Sequence, residues 1–95
     1  MKAYLIAAET VHDEAMFAEY RKQVVDTVAS FGGRFIARGG KLTVLEGQWQ
    51  PPRTVIVEFP TRESAEDWYK SPDSQRIINL RLESTRGALV ILDGM

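Results

Sequence analysis

The predicted strands of this chain are apolar on both faces, and this feature constrains the fold most. In the segment TVIVEF, Val57 lies on one face and Ile56 on the other, because side chains alternate along a strand. A sheet built from such strands must be covered on both sides, or it exposes a large apolar patch. The pattern occurs in three short runs: AYLIAA at 3–8, TVIVEF at 54–59 and ALVIL at 88–92.

A helical pattern follows the first strand. Its apolar residues recur at spacings of three and four, which indicates one face of a helix; they are Phe17, Tyr20, Val24, Val28 and Phe31. Asp13 can accept a hydrogen bond at the start of this helix. Gly32 and Gly33 predict its end, because glycine accepts the left-handed conformation that closes helices.

A pair of helices is predicted between the last two strands. Thr61 is the expected cap of the first, and Ser71 followed by Pro72 predicts a fresh helix start. With a further strand at 34–38, the order is strand, helix, strand, strand, helix pair, strand. This is the ferredoxin-like βαββαβ order, an α+β fold with an antiparallel sheet and helices on one face. We expect residues 1–95 to form a single domain.

The glycines after RFIAR leave the local structure open. RFIAR and LTVLE both predict strand, and Gly39, Gly40 and Lys41 separate them. A hairpin with a two-residue turn fits this pattern, and so does one long strand kinked by a glycine bulge. The loop GQWQPPR follows, and we expect its Trp49 to contact a partner chain or to form part of a lid.

The composition excludes several classes of function. The chain has 12 basic and 13 acidic residues, a net charge of −1 and no basic run, which argues against a nucleic-acid or membrane surface. It has no cysteine and a single histidine, so we expect no disulfide, no metal site and no cofactor. The longest apolar run is too short to cross a bilayer, and a cytoplasmic location is the default expectation.

The second apolar face of the sheet predicts a homodimer. Helices of this fold cover one face only, while Ile6 and Leu92 are among the residues that point to the other. A second copy, packed sheet against sheet, is the natural cover. We expect a two-fold interface of standard size or larger.

Four motifs resemble the DUF1330 family of small uncharacterised bacterial proteins: GGRFIARGG, LEG, PPRTVIVEFP and AEDWYKSPDSQ. The resemblance covers almost the whole chain. It implies a ferredoxin-like dimeric α+β barrel, and it favours the kinked strand over the hairpin. Proteins with a similar fold include cofactor-independent monooxygenases, haem-degrading enzymes and isomerases, but the family itself implies no activity. Ser74 departs from the family pattern, which usually has a tyrosine there.

Three residues are candidate catalytic groups. His12 has the only side chain that ordinarily titrates near neutrality, and it lies just before the first helix. Glu58 is a carboxylate in an apolar strand, so it needs a cationic partner, for which Arg38 and Arg53 are the candidates. A structural ion pair and a catalytic role both fit Glu58. The hydroxyl of Tyr20 needs a partner if it is buried, or it can donate into a cavity.

Five further residues are candidate ligand contacts. Arg38 can hold a carboxylate through two parallel hydrogen bonds, and Gly39 and Gly40 leave room for a ligand near the backbone. Trp68 and Tyr69 are helical neighbours, so one is expected to pack on the sheet while the other faces a groove. Aromatic residues at helical spacing are usually core residues, so core packing alone also explains them.

Two functions of different class fit this pattern. The first is a cofactor-independent enzyme for proton abstraction or O₂ chemistry on a small aromatic or acidic substrate. Its pocket would lie between helices and sheet, lined by Tyr20 and Trp68, with His12 and Arg38 at the rim. The second is a dimer that binds a small molecule, or stabilises a partner, without catalysis. An enclosed cavity with converging polar groups favours the first, and a closed, fully packed interface favours the second.

Overall fold

The structure, a computed structural model of all 95 residues, has four strands and three helices in the predicted order. The strands form one antiparallel sheet in the order β2-β3-β1-β4, which confirms the ferredoxin-like fold. None of its helices has the length and apolar character that crossing a membrane requires. The elements are β1 (Ala3–Val11), α1 (Glu14–Ala29), β2 (Arg34–Arg38), β3 (Arg53–Phe59), α2 (Arg62–Lys70), α3 (Pro72–Ser84) and β4 (Thr85–Asp93).

The helices begin at the residues that the sequence indicates. The carboxylate of Asp13 accepts from the backbone N–H of Met16 at 3.1 Å, which caps α1. The hydroxyls of Thr61 and Ser71 accept from backbone N–H groups in the first turns of α2 and α3. Each cap satisfies a donor that the helix itself cannot pair, so these three predictions are confirmed.

The core lies between the helices and the inner face of the sheet. Leu5 of β1 is directly opposite Val57 of β3 and Ile91 of β4, and this register places the apolar residues of neighbouring strands side by side. The predicted stripe of α1 packs on them, with Val24 and Val28 buried.

The outer face of the sheet has no cover within the chain. Val90 is 51% exposed and Leu92 is 57% exposed, while Ile6 and Ile56 are half-buried. The helices all lie on the opposite side, so burial in β1 and β3 alternates between buried and half-buried positions. The sheet therefore presents a largely apolar surface to its surroundings.

The segment LTVLE is not a strand, and this prediction was wrong. β2 ends at Arg38, and residues 39–52 form neither a hairpin nor a continued strand. The bend falls earlier, at a bulge between Phe35 and Ala37. A strand needs a neighbouring strand to pair with. The pairing of β2 with β3 ends at Arg38, and no strand of this chain lies beside residues 42–46.

Gly39 is required by the local backbone and by a side chain packed on it. Its φ is +66° and its N–H donates to the carbonyl of Thr54 at 3.0 Å. A Cβ at this position would collide with the guanidinium of Arg53. Gly40 meets nothing within 4 Å. The first glycine of the pair therefore leaves room for Arg53, while the second faces open space.

Candidate functional site

A small cavity lies between α1, α3 and the inner face of the sheet. Its volume is about 40 Å³, room for about three ordered waters. Most of its wall is apolar, with contributions from Val24, Trp68 and Leu89. Its charged lining consists of one carboxylate and four guanidinium groups: Glu9, Arg21, Arg38, Arg53 and Arg81.

Glu9 reaches this cavity because β1 continues past its apolar segment. It follows Ala7 on the inner face, and it is only 5% exposed. Across the sheet it is directly opposite Arg53 of β3. The Nε of Arg53 lies 3.4 Å from Oε1 of Glu9, and its guanidinium also covers the ring of Phe17 at 5.1 Å. A buried carboxylate thus has its counter-charge on the next strand.

Two arginine donors in the cavity make no well-aligned hydrogen bond within the chain. They are the Nε–H groups of Arg53 and Arg81, and both nitrogens are buried. Arg53 Nε is close enough to Glu9 for electrostatic attraction, but its geometry does not make a hydrogen bond. Leaving a buried donor unpaired costs on the order of 1–3 kcal/mol. Such groups indicate a place where an acceptor from outside the chain can bind.

The buried environment shifts the protonation of Glu9 and Tyr20. Burial raises the pKa of Glu9, and the nearby charges of Arg53 and Arg81 oppose this only in part. Burial also raises the pKa of Tyr20, with Arg81 opposing it. The carboxyl of Glu9 is therefore easier to protonate than an ordinary glutamate, while Tyr20 keeps its proton.

The arginines crowd one another at the rim of the cavity. Arg38 lies 4.3 Å above the ring of Phe35, and its Nη2 donates to the carbonyl of Arg21 at 3.5 Å. Partial burial lowers the pKa of Arg38, and repulsion from Arg21 and Arg53 lowers it further. One carboxylate does not balance four guanidinium groups, so this end of the cavity attracts anions.

Trp68 and Tyr69 point in different directions, as predicted. Trp68 is buried, lines the cavity and donates from Nε1 to the hydroxyl of Thr27 at 3.0 Å. Tyr69 is 37% exposed and faces a separate groove.

His12 lies outside the cavity, exposed in the turn between β1 and α1, where its backbone N–H donates to the carbonyl of Ser84.

Glu58 lies on the outer face of the sheet, away from the cavity. Its carboxylate pairs with Lys2 at 3.3 Å and with Arg34 at 3.1 Å. The prediction of Arg38 or Arg53 as its partner was wrong. Alternation places Glu58 outward, directly opposite Arg34 in β2, whereas Arg38 and Arg53 line the cavity on the inner face.

Sequence reasoning missed the acidic centre of the site. The predicted first strand ends at Ala8 and so leaves out Glu9. In the structure, Glu9 continues the inner-face alternation of Leu5 and Ala7. That continuation was the one signal available. Arg81 lies in a helix and gave no signal, because nothing in its local sequence indicates that its side chain reaches the same cavity.

The fold and the site define a ferredoxin-like α+β protein with an arginine-rich cavity under its helices. The model of the family described as Domain of unknown function (DUF1330) matches residues 2–95. The chain therefore belongs to the DUF1330 family, which confirms the resemblance seen in its motifs. No curated protein matches the sequence.

Solved structures share this fold at low sequence identity. RPA0582 from Rhodopseudomonas palustris, a protein of unknown function, is 15% identical with a TM-score of 0.76, over 99% of this chain and 82% of that one. SnoaB from Streptomyces nogalater, a cofactor-independent oxygenase, is 10% identical with a TM-score of 0.66, over 99% and 93%. An antibiotic biosynthesis monooxygenase is 15% identical with a TM-score of 0.59, over 100% and 99%. At these identities the likeness shows the fold alone.

Glu9 and Glu58 both lie in strands. Replacing each by glutamine should change the pH dependence of the free energy of unfolding, with opposite signs for the two residues. The folded pKa of Glu9 is raised above 4.5, so its stabilising contribution is present below that pH and lost as pH rises through the folded pKa. As the pH rises from about 4 to about 7, we expect the stability of Glu9→Gln to increase relative to that of the wild type. Urea denaturation at both pH values measures this difference.

Glu58→Gln is the matched control. Burial opposes ionisation of Glu58, but its hydrogen bonds and charge pairing with Lys2 and Arg34 outweigh this and lower its pKa. That contribution is present above the unfolded pKa and lost as pH falls, so Glu58→Gln should lose stability relative to wild type as pH rises. If both variants change with the same sign, the assigned environments of the two carboxylates are wrong.

Proposed function

We propose that this protein is a cofactor-independent enzyme that binds a small organic acid in the cavity and moves a proton through Glu9. The observation that carries the proposal is the pair of buried Nε–H groups on Arg53 and Arg81, which make no well-aligned hydrogen bond within the chain and lie beside a buried carboxylate. Arg38 supplies a third guanidinium at the rim.

A carboxylate is the ligand that this lining fits best. Arginine binds carboxylates through parallel N–H···O hydrogen bonds, and such charged bonds are stronger than neutral ones. An anion among the arginines would satisfy donors that are otherwise unpaired. It would also relieve the repulsion that lowers the pKa of Arg38. A neutral ligand would do neither.

Glu9 is suited to transfer a proton from the bound acid. Its raised pKa brings protonation closer to neutral pH, where a general acid or base is most effective. At a pH above its pKa in the complex, Glu9 is a carboxylate and can accept a proton from a carbon next to the carbonyl or carboxylate of the ligand. Tyr20, which remains protonated, can donate to the oxygen on which charge develops.

The solved structures support a reaction without a cofactor. SnoaB is described as a cofactor-independent oxygenase, so this fold can support chemistry without a bound cofactor. A non-catalytic binding protein is the second candidate, and the small size of the cavity, about 40 Å³, favours it. Exchange of carbon-bound hydrogen for solvent deuterium in pyruvate or phenylpyruvate distinguishes the two, because only the enzyme accelerates it.

Arg81→Lys should weaken acid binding by at least about tenfold, since lysine keeps the charge but loses the guanidinium fork. Calorimetric titration with acetate, pyruvate and phenylpyruvate measures the affinity. Arg76→Lys is the control, because Arg76 is on the same helix and pairs with Asp73 on the surface at 3.0 Å. Equal affinity of both variants, or no binding of any of these acids to the wild type, would contradict the proposal.

The functional unit in this proposal is a homodimer. The apolar outer face of the sheet is uncovered within one chain, and the unpaired segment that follows β2 exposes further apolar side chains, including Leu45 at 90%. Trp49 reaches back to this face, where its Nε1 donates to the hydroxyl of Thr54 at 3.1 Å. A second copy packed on the same surface would bury all of these groups.

Val90→Lys should convert the dimer to a monomer, because it places a charge within an apolar interface of about 1,200 Å² or more. Light scattering at micromolar concentration measures the molar mass. Val25→Lys is the matched control, since Val25 is an exposed valine on α1, away from the sheet. A monomeric wild type, or a monomer produced by both variants, would rule out this interface.

A further inference from the structure

An open groove lies beside the cavity, between α2, α3 and β4. Its volume is about 470 Å³. We call it the α3–β4 groove; its own lining includes Arg62, Tyr69, Leu82 and Ile91. Leu5, Arg81 and Leu89 line both the groove and the cavity. The two spaces are therefore adjacent, and Arg81 lies at their boundary.

The sizes of the two spaces determine which part of a ligand each can hold. The cavity, at about 40 Å³, holds a carboxylate group and little more, because one water needs about 10–15 Å³. Sites for metabolite-sized ligands typically measure about 300–1,000 Å³. The groove, at about 470 Å³, is in that range. For an acid whose carboxylate lies among the arginines, the groove is the adjacent space large enough for the rest of its structure.

The charges in the groove indicate what that remainder is. Arg62 is the cation unique to the groove, and it is already paired with Asp93 at 2.7 Å and with Glu66 at 3.5 Å. A second carboxylate would have to displace these partners. By contrast, Leu82 is 54% exposed and Tyr69 is 37% exposed, so both offer apolar surface to a ligand. The groove suits an apolar group better than an acidic one.

We propose that the α3–β4 groove binds the apolar tail of a monocarboxylic acid whose carboxylate is held by Arg53 and Arg81. This assignment rests on the proposed function, and it specifies the substrate class: an amphipathic monocarboxylate with an aromatic or short aliphatic tail. Arg81 contacts the acid at the point where it passes from groove to cavity. Tyr69 and Leu82 select the tail.

The test compares a tailed acid with a tailless one. We expect 3-phenylpropionate to bind the wild type at least about tenfold more tightly than acetate, since its phenyl group removes apolar surface from water when it lies in the groove. Leu82→Trp fills the groove and should reduce 3-phenylpropionate affinity about tenfold while changing acetate affinity less than about twofold. Val25→Trp is the control, because it adds the same side chain at an exposed position of α1 that lines neither the groove nor the cavity. Calorimetry or ligand-observed NMR measures both acids.

The possible outcomes test the groove assignment and the carboxylate site in the cavity separately. If neither acid binds the wild type, the proposed function fails and the groove assignment fails with it. If both acids bind and Leu82→Trp affects neither, the cavity binds carboxylates but the tail lies elsewhere, which overturns the groove assignment alone. An equal loss of both acids would also overturn it, because it would make the groove a route to the cavity and not the place where the tail rests. Tyr69→Ala checks the result independently: it should weaken 3-phenylpropionate only.

Discussion

The burial of one carboxylate, Glu9, determines the character of the space under the helices. A carboxylate at the end of an inner strand face must have cationic neighbours, and the chain supplies Arg53 from the facing strand and Arg81 from α3. Gly39, whose φ of +66° favours glycine, leaves the space that the guanidinium of Arg53 occupies. The arginines exceed what one carboxylate can neutralise, so the cavity is left with unpaired donors and a net attraction for anions.

The second constraint is a sheet that is apolar on both faces with helices on only one. The inner face builds the core and, at one end, the cavity; the outer face leaves Val90 and Leu92 exposed. The two faces carry different kinds of glutamate. Glu58 on the outer face is paired with Lys2 and Arg34 and has a lowered pKa, whereas Glu9 on the inner face has a raised one. In the proposed function, chemistry and association take place on opposite sides of one sheet.

Local patterns in the sequence predicted most of the fold but little of the site. Helix caps such as Asp13 act within a single turn, so they can be recognised in the sequence. LTVLE has a strand-like sequence, but it has no neighbour to pair with within this chain, and pairing is a tertiary property. Tyr20, Arg38 and Trp68 were expected in the pocket and do line it. Glu9 and Arg81 were missed because their positions depend on strand length and on how α3 packs.

Proton uptake on acid binding tests most directly the central claim that a bound carboxylate lies beside Glu9. Calorimetric titration of 3-phenylpropionate in buffers of different ionisation enthalpy measures it. A ligand anion repels the charge of Glu9 and competes for Arg53 and Arg81, so it raises the pKa of Glu9 further. We expect proton uptake by the wild type at a pH just above the pKa of Glu9 in the free protein, where this carboxyl is ionised before binding, and no uptake by Glu9→Gln. Binding without uptake, or equal uptake by both proteins, would contradict it.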